Sequence, residues 1–276
     1  MIHPGENEAP LLRPEGLRTL LAPWITDERV EVERAVVYTF HARTARRWRA
    51  GRVLLAGDAA HLTPPFAGQG FSSGARDVAN RAWKLDAVLR GAPRRLLDSY
   101  ETERRPHVAK MQHLAVRWGG VVQTADPRIA RLRDLGLVAL ERSGALGTIR
   151  DHVKPLPTYG SGAFACVPSR LAFQRSVGSL FPQPLVDGQR LDDLLGTGWG
   201  AVTCDDRTAS VLRANGVSTV VLRDAKWLQH HHADWALLRP DRFVFACGPD
   251  HELPLALQRM HATLGGAAER EIVAAS

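Results

Sequence analysis

The chain has 276 residues, a formal charge of +7 and a pI near 9.9, with 45% hydrophobic and 24% charged residues. That composition excludes a disordered chain, and no apolar run is long enough to span a bilayer. Lysine occurs only at Lys84, Lys110, Lys154 and Lys226, so the positive charge is almost all arginine, interleaved with acids as in Glu101 to Arg105; a solvated surface fits it better than a nucleic-acid groove.

Met1 to Pro10 is polar and acidic, without the basic start and apolar centre of a signal peptide, so a cytoplasmic location is expected. The three cysteines, Cys166, Cys204 and Cys247, form no CxxC pair, which argues against a zinc ribbon or a dithiol redox site.

Residues 14–22 read as a short helix opened by Pro14. From Val30 to His41, Val30, Val32, Val36, Tyr38 and Phe40 alternate on one face with Arg34 as the exception, the pattern of a half-buried strand. Val53 to Ala56 is a continuous apolar run, which predicts a strand buried on both faces. After a Gly/Pro loop, Ser72 or Ser73 can cap a helix to about Arg90, with Ala75, Val78, Ala79, Ala82, Leu85 and Leu89 as its buried stripe. Gly91 and Pro93 stop it. Leu96 to Val122 reads as helix bent at Pro106, and Asp126-Pro127 opens another through about Leu140. A boundary falls at Lys154 to Gly162, or somewhat after it. Beyond Leu185 the order is strand 198–203, helix 206–215, strand 217–222, strand 242–247 and helix 252–264, a small α/β sandwich.

The chemistry lies between Gly51 and Gly91. A buried strand delivers Asp58 to a sheet edge, where open α/β folds bind ligands, and its carboxylate can accept hydrogen bonds from a ribose. Ala67, Gly68 and Gly70 leave backbone N–H groups unobstructed. Those groups stand at the start of a long helix, whose positive dipole end favours an anion.

The segment GRVLLAGDAAHLTPPFAGQGFSSGARDVANRAWKL, residues 51–85, resembles the second FAD-binding motif of the single-component flavoprotein aromatic hydroxylases, above all the 3-(3-hydroxyphenyl)propionate hydroxylase type. YTFHARTARRWRAGRVLLAGDAAH before it and LLDSYETERRPHVAKMQHLAVRWG after it agree, and GQRLDDLLGTGWG and LLRPDRFVFACG are similar to that subgroup's thioredoxin-like tail. The resemblance implies an α/β fold: residues 1–50 as the end of a substrate-binding sheet, 51–160 as the C-terminal part of a glutathione-reductase-like FAD-binding domain plus helices, and 161–276 as a thioredoxin-like domain. It implies FAD held by Gly57, Asp58, Pro65, Gly68, Gln69, Gly70, Phe71 and Ser72. Asp58 would meet ribityl or ribose hydroxyls, Pro65 the flavin's active face, and Gly70, Phe71 and Ser72 the N1–C2=O edge, where a helix N-terminus stabilises the negative charge of reduced flavin. NAD(P)H would be the transient electron donor, and O2 and a phenolic ring the co-substrates. No catalytic residue and no metal ligand is assigned.

The family's GxGxxG unit and the Asp-Gly motif between its two FAD fingerprints do not occur in the chain. The expectation is weak FAD binding and no hydroxylation by this polypeptide alone, with an N-terminal FAD-domain fragment or a homo-oligomer as protein partner. A polyketide- or antibiotic-tailoring hydroxylase shares the architecture. A non-catalytic binding or dimerisation module with a vestigial half-site is the alternative from another class. A nucleic-acid binder would rest on the pI alone.

Other residues have plain readings. His230 to His232 fit a surface loop, because three adjacent histidines cannot converge on one ion. His61 divides evenly between a flavin contact and a structural hydrogen bond. Arg76 and Asp77 fit a helix-surface salt bridge. Trp24, Tyr38, Phe40 and Trp48 fit core packing, with a phenol pocket as the rival, and Cys204 fits a buried small residue.

Overall fold

Pro14 opens α1 (Pro14–Leu21), as expected. Its missing N–H would have no partner in the first helical turn, and its φ is already helical. The structure is a computed structural model and describes residues 7–25, 30–145, 147, 157–165 and 176–266. Cys166 and residues 154–156 of the expected boundary segment lie outside them.

The next expectation fails, and the one after it holds as a strand but not as a buried one. Residues 30–42 run without strand pairing, and Val30, Val32, Val36, Tyr38 and Phe40 stay 44–73% exposed. A strand needs a neighbour for its N–H and C=O groups, and among the described residues none pairs with this segment. Two small antiparallel ladders come next along the chain. β1 (Arg43–Thr44) pairs with β4 (His61–Leu62), and β2 (Arg49–Ala50) pairs with β3 (Val53–Leu54). The apolar run at Val53 is therefore the arm of a hairpin, with Val53 itself 64% exposed. Its inner side meets a core of Trp48, Ala60, Tyr100 and Val108, and the Tyr100 hydroxyl donates to the Leu55 carbonyl at 2.9 Å.

α2 (Gly70–Leu89) begins at Gly70, ahead of Ser72 and Ser73, with Gln69 at its N-cap. Its burial is the reverse of the expected stripe. Ser73, Asp77, Asn80, Trp83 and Lys84 are buried, while Ala75, Val78, Ala79, Ala82 and Leu89 are not, and Leu85 is half-buried. The polar face wins because α3 (Asp98–Val122) offers it Glu103, Arg104 and His107, all buried. α3 runs through Pro106, and α4 (Pro127–Arg142) is capped as expected by Asp126, which accepts from Arg128 N at 2.8 Å and Ile129 N at 3.4 Å.

The second half begins with a hairpin of β5 (Leu185–Val186) and β6 (Gln189–Arg190) and a short α5 (Leu191–Leu195). Then come β7 (Gly200–Thr203), α6 (Asp206–Ala214), β8 (Ser218–Val221), α7 (Lys226–His230), β9 (Trp235–Leu238), β10 (Val244–Gly248) and α8 (Leu253–Thr263). The sheet order is β10-β9-β7-β8, with β7 and β8 parallel and the other pairs antiparallel. Alternate residues serve two cores. Ala201, Leu237 and Phe245 pack with Leu212 of α6 and Leu257 of α8. Val202, Ala236 and Val244 pack with Leu195 of α5 and Leu228 of α7. β9 was not foreseen: Trp-Ala-Leu-Leu contains no β-branched residue. Cys204, just past β7, is exposed rather than buried. Cys247 in β10 is buried, and burial pushes its thiol up to about 12.

Candidate flavin cradle and adjoining cavity

The expected cofactor residues fall into two turns and one helix end. Gly57, Asp58 and Ala59 form a 3-10 turn after β3. Gly57 has φ +55, and a Cβ on Gly74 of α2 would lie 3.4 Å from its Cα. The pair of glycines thus lets the Asp58 turn rest on the first turns of α2. The Asp58 carboxylate is exposed and has no hydrogen-bond partner among the described residues.

Pro65 to Ala67 form a second 3-10 turn, closed by Gly68 at φ +61, whose N–H donates to the Pro65 carbonyl at 2.8 Å. Nothing lies within 4 Å of the positions that a Cβ on Gly68 or Gly70 would take. Gln69 is buried, with its side-chain amide directed back to the Ala67 carbonyl at 3.4 Å. It therefore does not cap α2, and the N–H groups of Gly70, Phe71 and Ser72 have no acceptor among the described residues. Phe71 is 91% exposed. An uncapped twenty-residue helix presents partial positive charge at this end. Open glycines, free amides and an unpaired carboxylate are the donor and acceptor set that FAD needs, so these residues fit the cofactor.

The support beneath the cradle is a buried polar network, where the sequence pattern suggested a surface. Asp77 is fully buried and not part of a helix-surface salt bridge. Its Oδ2 accepts from Gly57 N at 3.0 Å and from His61 Nε2 at 2.6 Å, and its Oδ1 accepts from Arg104 Nε at 2.8 Å. Burial opposes the Asp77 charge, but the His61 hydrogen bond and Arg104 outweigh it and hold the carboxyl below its ordinary range. His61 is therefore the structural hydrogen bonder of its two readings. Arg104 also donates to the Ser73 carbonyl at 3.2 Å and to His107 Nδ1 at 3.0 Å. Burial, then Arg104, lowers His107 to about 3, so its ring is neutral. Arg76 has no ion pair among the described residues; burial, then Arg104, lowers its pKa.

A second centre joins α2 and α3 to the strand end after β9. Glu103 accepts from Arg239 through both oxygens at 2.9 Å, from Lys84 Nζ at 2.8 Å and from Asn80 Nδ2 at 2.6 Å. Burial opposes the Glu103 charge, but Arg239 and then Lys84 hold its carboxyl at about 2. Arg239 also pairs with Asp241 and stacks over the rings of Phe164 and Trp83 at 4.4 and 5.1 Å. Burial lowers Lys84 to about 8, incompletely offset by Glu103. The sequence held a signal for this: Tyr100, Glu103, Arg104, His107 and Met111 recur at helical spacing and share the buried face of α3.

Beside the cradle is an open cavity of about 1070 Å³, lined among others by Leu17 and Leu21 of α1, Tyr38, Phe40, Phe66 and Val116. The Phe40 ring meets Tyr38 at 5.1 Å and Phe66 at 5.9 Å. Of the four aromatics grouped in the sequence, Tyr38 and Phe40 therefore line a cavity, Trp48 is core, and Trp24 is 85% exposed. His231 stacks on Trp227 at 4.1 Å. Among the described residues no group of three His, Cys, Asp or Glu could hold a metal, and no helix is long and apolar enough to cross a membrane.

Comparison with known proteins agrees with this geometry. Residues 13–115 match the FAD binding domain family. The 3-(3-hydroxy-phenyl)propionate/3-hydroxycinnamic acid hydroxylase of Burkholderia cenocepacia (strain HI2424) is 36% identical over 290 aligned positions, covering 89% of this chain and 53% of that protein. The probable NADH-specific resorcinol 4-hydroxylase of Rhodococcus jostii (strain RHA1) is 32% identical, covering 88% of this chain and 49% of that protein. Among solved structures, the rebeccamycin biosynthetic enzyme RebC with reduced flavin superposes with a TM-score of 0.61 at 29% identity, covering 83% of this chain and 48% of that one. The chain spans about half the length of the curated relatives it matches. It belongs to the FAD-dependent aromatic hydroxylase family of flavoprotein monooxygenases.

Proposed function

We propose that the chain is the FAD-binding portion of an NAD(P)H-dependent monooxygenase that hydroxylates a phenolic ring. The observation that carries this is the uncapped start of α2, where the N–H groups of Gly70, Phe71 and Ser72 have no acceptor among the described residues and the Cβ positions of Gly68 and Gly70 are open. In this reading Asp58 accepts from the ribityl or ribose hydroxyls. Gly57, Pro65, Gly68 and Gln69 shape the walls, and the α2 amides favour negative charge on the flavin ring edge. FAD, when bound, supplies the redox chemistry and takes electrons from NAD(P)H; the chain's residues orient it. The cavity at Tyr38, Phe40 and Phe66 holds the phenol, since aromatic walls suit a flat apolar ring.

The hydroxylase names of the two curated relatives support a small phenol. The likeness to a rebeccamycin biosynthetic enzyme that holds reduced flavin keeps in view the second substrate class, that of a polyketide- or antibiotic-tailoring hydroxylase. We also assign the described part of residues 161–276 as a thioredoxin-like unit, on the sheet order β10-β9-β7-β8 and the parallel pair β7-β8. That unit is joined to α3 by the Glu103–Arg239 pair.

The test is an FAD titration of the full chain, followed by flavin fluorescence and the visible spectrum. Saturable quenching with a shifted spectrum is expected, and NAD(P)H oxidation is then assayed with 3-(3-hydroxyphenyl)propionate and resorcinol. Flavin fluorescence that stays that of free FAD at every protein concentration overturns the cofactor reading.

A further inference from the structure

We infer that Asp77 is a positioning residue for the flavin cradle, fixing where Asp58 stands relative to the start of α2. This deepens the cofactor reading just given and rests on it. Asp77 does not face the cradle. It lies on the buried side of α2, two turns from the helix start, and gathers three donors from three separate elements. Gly57 N comes from the Asp58 turn at 3.0 Å, His61 Nε2 from β4 at 2.6 Å, and Arg104 Nε from α3 at 2.8 Å. Arg104 closes a ring by donating to the Ser73 carbonyl in the first turn of α2 at 3.2 Å.

The bond to Gly57 is the consequential one. Gly57 opens the three-residue turn that carries Asp58, and its left-handed φ leaves it held by little local structure. That turn seats on α2 through the Gly57–Gly74 contact, where a Cβ added to Gly74 would reach to 3.4 Å from Gly57 Cα. Asp77 therefore clamps the turn from below while the glycine pair sets its height. The relation between the Asp58 carboxylate and the free amides of Gly70 to Ser72 follows from both. An ionised carboxylate suits the task because it has acceptor capacity for three donors at once, whereas an amide has one acceptor oxygen.

Three full-length variants test this. Asp77→Asn leaves one oxygen for three donors. Gly74→Val lifts the turn without touching a buried charge, so it answers the question even if Asp77→Asn folds poorly. Lys84→Met perturbs the same buried face of α2 two turns further on, away from Gly57, and is the structural control. Hydrogen exchange of residues 57–60 and FAD titration are read well below each variant's melting temperature. The expected result is exchange about a hundredfold faster in Asp77→Asn. FAD binding is expected to weaken about tenfold or more in both Asp77→Asn and Gly74→Val, with Lys84→Met like wild type in both readouts. Unchanged exchange at 57–60 in Asp77→Asn, or equal loss of FAD affinity in Lys84→Met, overturns the inference. A wild-type chain that binds no FAD overturns the cofactor reading instead, and the exchange comparison still decides whether Asp77 seats the turn.

Discussion

Arg239, just past β9, reaches into the first half of the molecule and pairs with both oxygens of Glu103 on α3, each at 2.9 Å. Both side chains are fully buried, and four aromatic rings surround the guanidinium. Arg239 is held above its ordinary pKa, because Asp241 and Glu103 outweigh the burial that opposes its charge. Removing one partner of such a pair costs up to about 3–5 kcal/mol, and here Lys84 and Asn80 still donate to the buried Glu103 carboxylate, so the loss sits at or below that range. Arg239→Met is therefore expected to lower stability by up to that amount. Urea unfolding followed separately by tryptophan fluorescence and far-UV circular dichroism checks it. Wild type should give coincident transitions, and the variant should separate them as the second half loses its anchor on α3. Coincident curves with an unchanged midpoint would show that the pair does not couple the two halves.

The same network sets an acid limit. The folded pKa of His107 is about 3 against an ordinary 6.5, so the unfolded chain takes up a proton first as pH falls. Stability from this residue is fully present above about pH 6.5 and is lost progressively toward pH 3. The slope is at most about 1.4 kcal/mol per pH unit. Glu103, lowered from 4.5 to about 2, adds a second loss that begins only below about pH 4.5. Between these two onsets the slope belongs to His107. His107→Gln keeps an acceptor for Arg104 and cannot titrate, so its stability should be flat from pH 6.5 to 5 while wild type falls. Parallel profiles for the two proteins would rule this out.

The helices of the first half were legible as helices but, for α2, not as faces. Pro14, Asp126-Pro127 and Gly91 marked ends by local geometry that no tertiary contact overrides. The faces of α2 were misread because hydrophobic periodicity assumes an apolar core. Here Ser73, Asp77, Asn80 and Lys84 recur at spacings of four, three and four, an equally periodic polar stripe that becomes buried once Glu103 and Arg104 face it. The strand at 30–41 failed for a different reason: its alternation was real, but pairing depends on a neighbour that a single segment cannot reveal. Of the proposed cradle, the turn glycines Gly57 and Gly68 were legible as local features, whereas the start of α2 lies at Gly70, ahead of the expected Ser72 or Ser73 cap. Asp77 was visible only as a charge on a helix, and its three partners lie 16 to 27 residues away.

Gly68 offers a direct test of the cradle's shape. It sits at φ +61 with open space where a side chain would project. Gly68→Val puts a β-branched residue in the left-handed region, at a cost of about 1–3 kcal/mol. It also places methyl groups in the space assigned to the cofactor. Gly51 has φ +60 and the same open surroundings, but it lies in the β2–β3 hairpin away from the cradle. Gly51→Val should destabilise to a similar degree and leave FAD affinity alone, whereas Gly68→Val should lower both. Equal FAD affinity in the two variants would remove Gly68 from the cofactor wall.

The cavity rests on a contact between Gly119 and Phe66. A Cβ at Gly119 would lie 2.7 Å from the Phe66 ring, closer than real carbons approach, so Gly119→Ala forces the ring to turn. Helix α3 itself would accept alanine and even gain from it, by about 1 kcal/mol. The direction open to the ring is the cavity that it shares with Phe40 and Tyr38. Gly119→Ala is thus expected to leave the melting temperature nearly unchanged, because helix propensity offsets the repacking. Phenol affinity should fall, read as the loss of a phenol-induced change in the bound flavin's spectrum. Gly120→Ala, at the next position of the same helix with nothing within 4 Å of its Cβ, should show the propensity gain alone. If both variants bind phenol as wild type does, the ring of Phe66 does not border the substrate, and the aromatic cavity must be assigned to something other than the reacting ring.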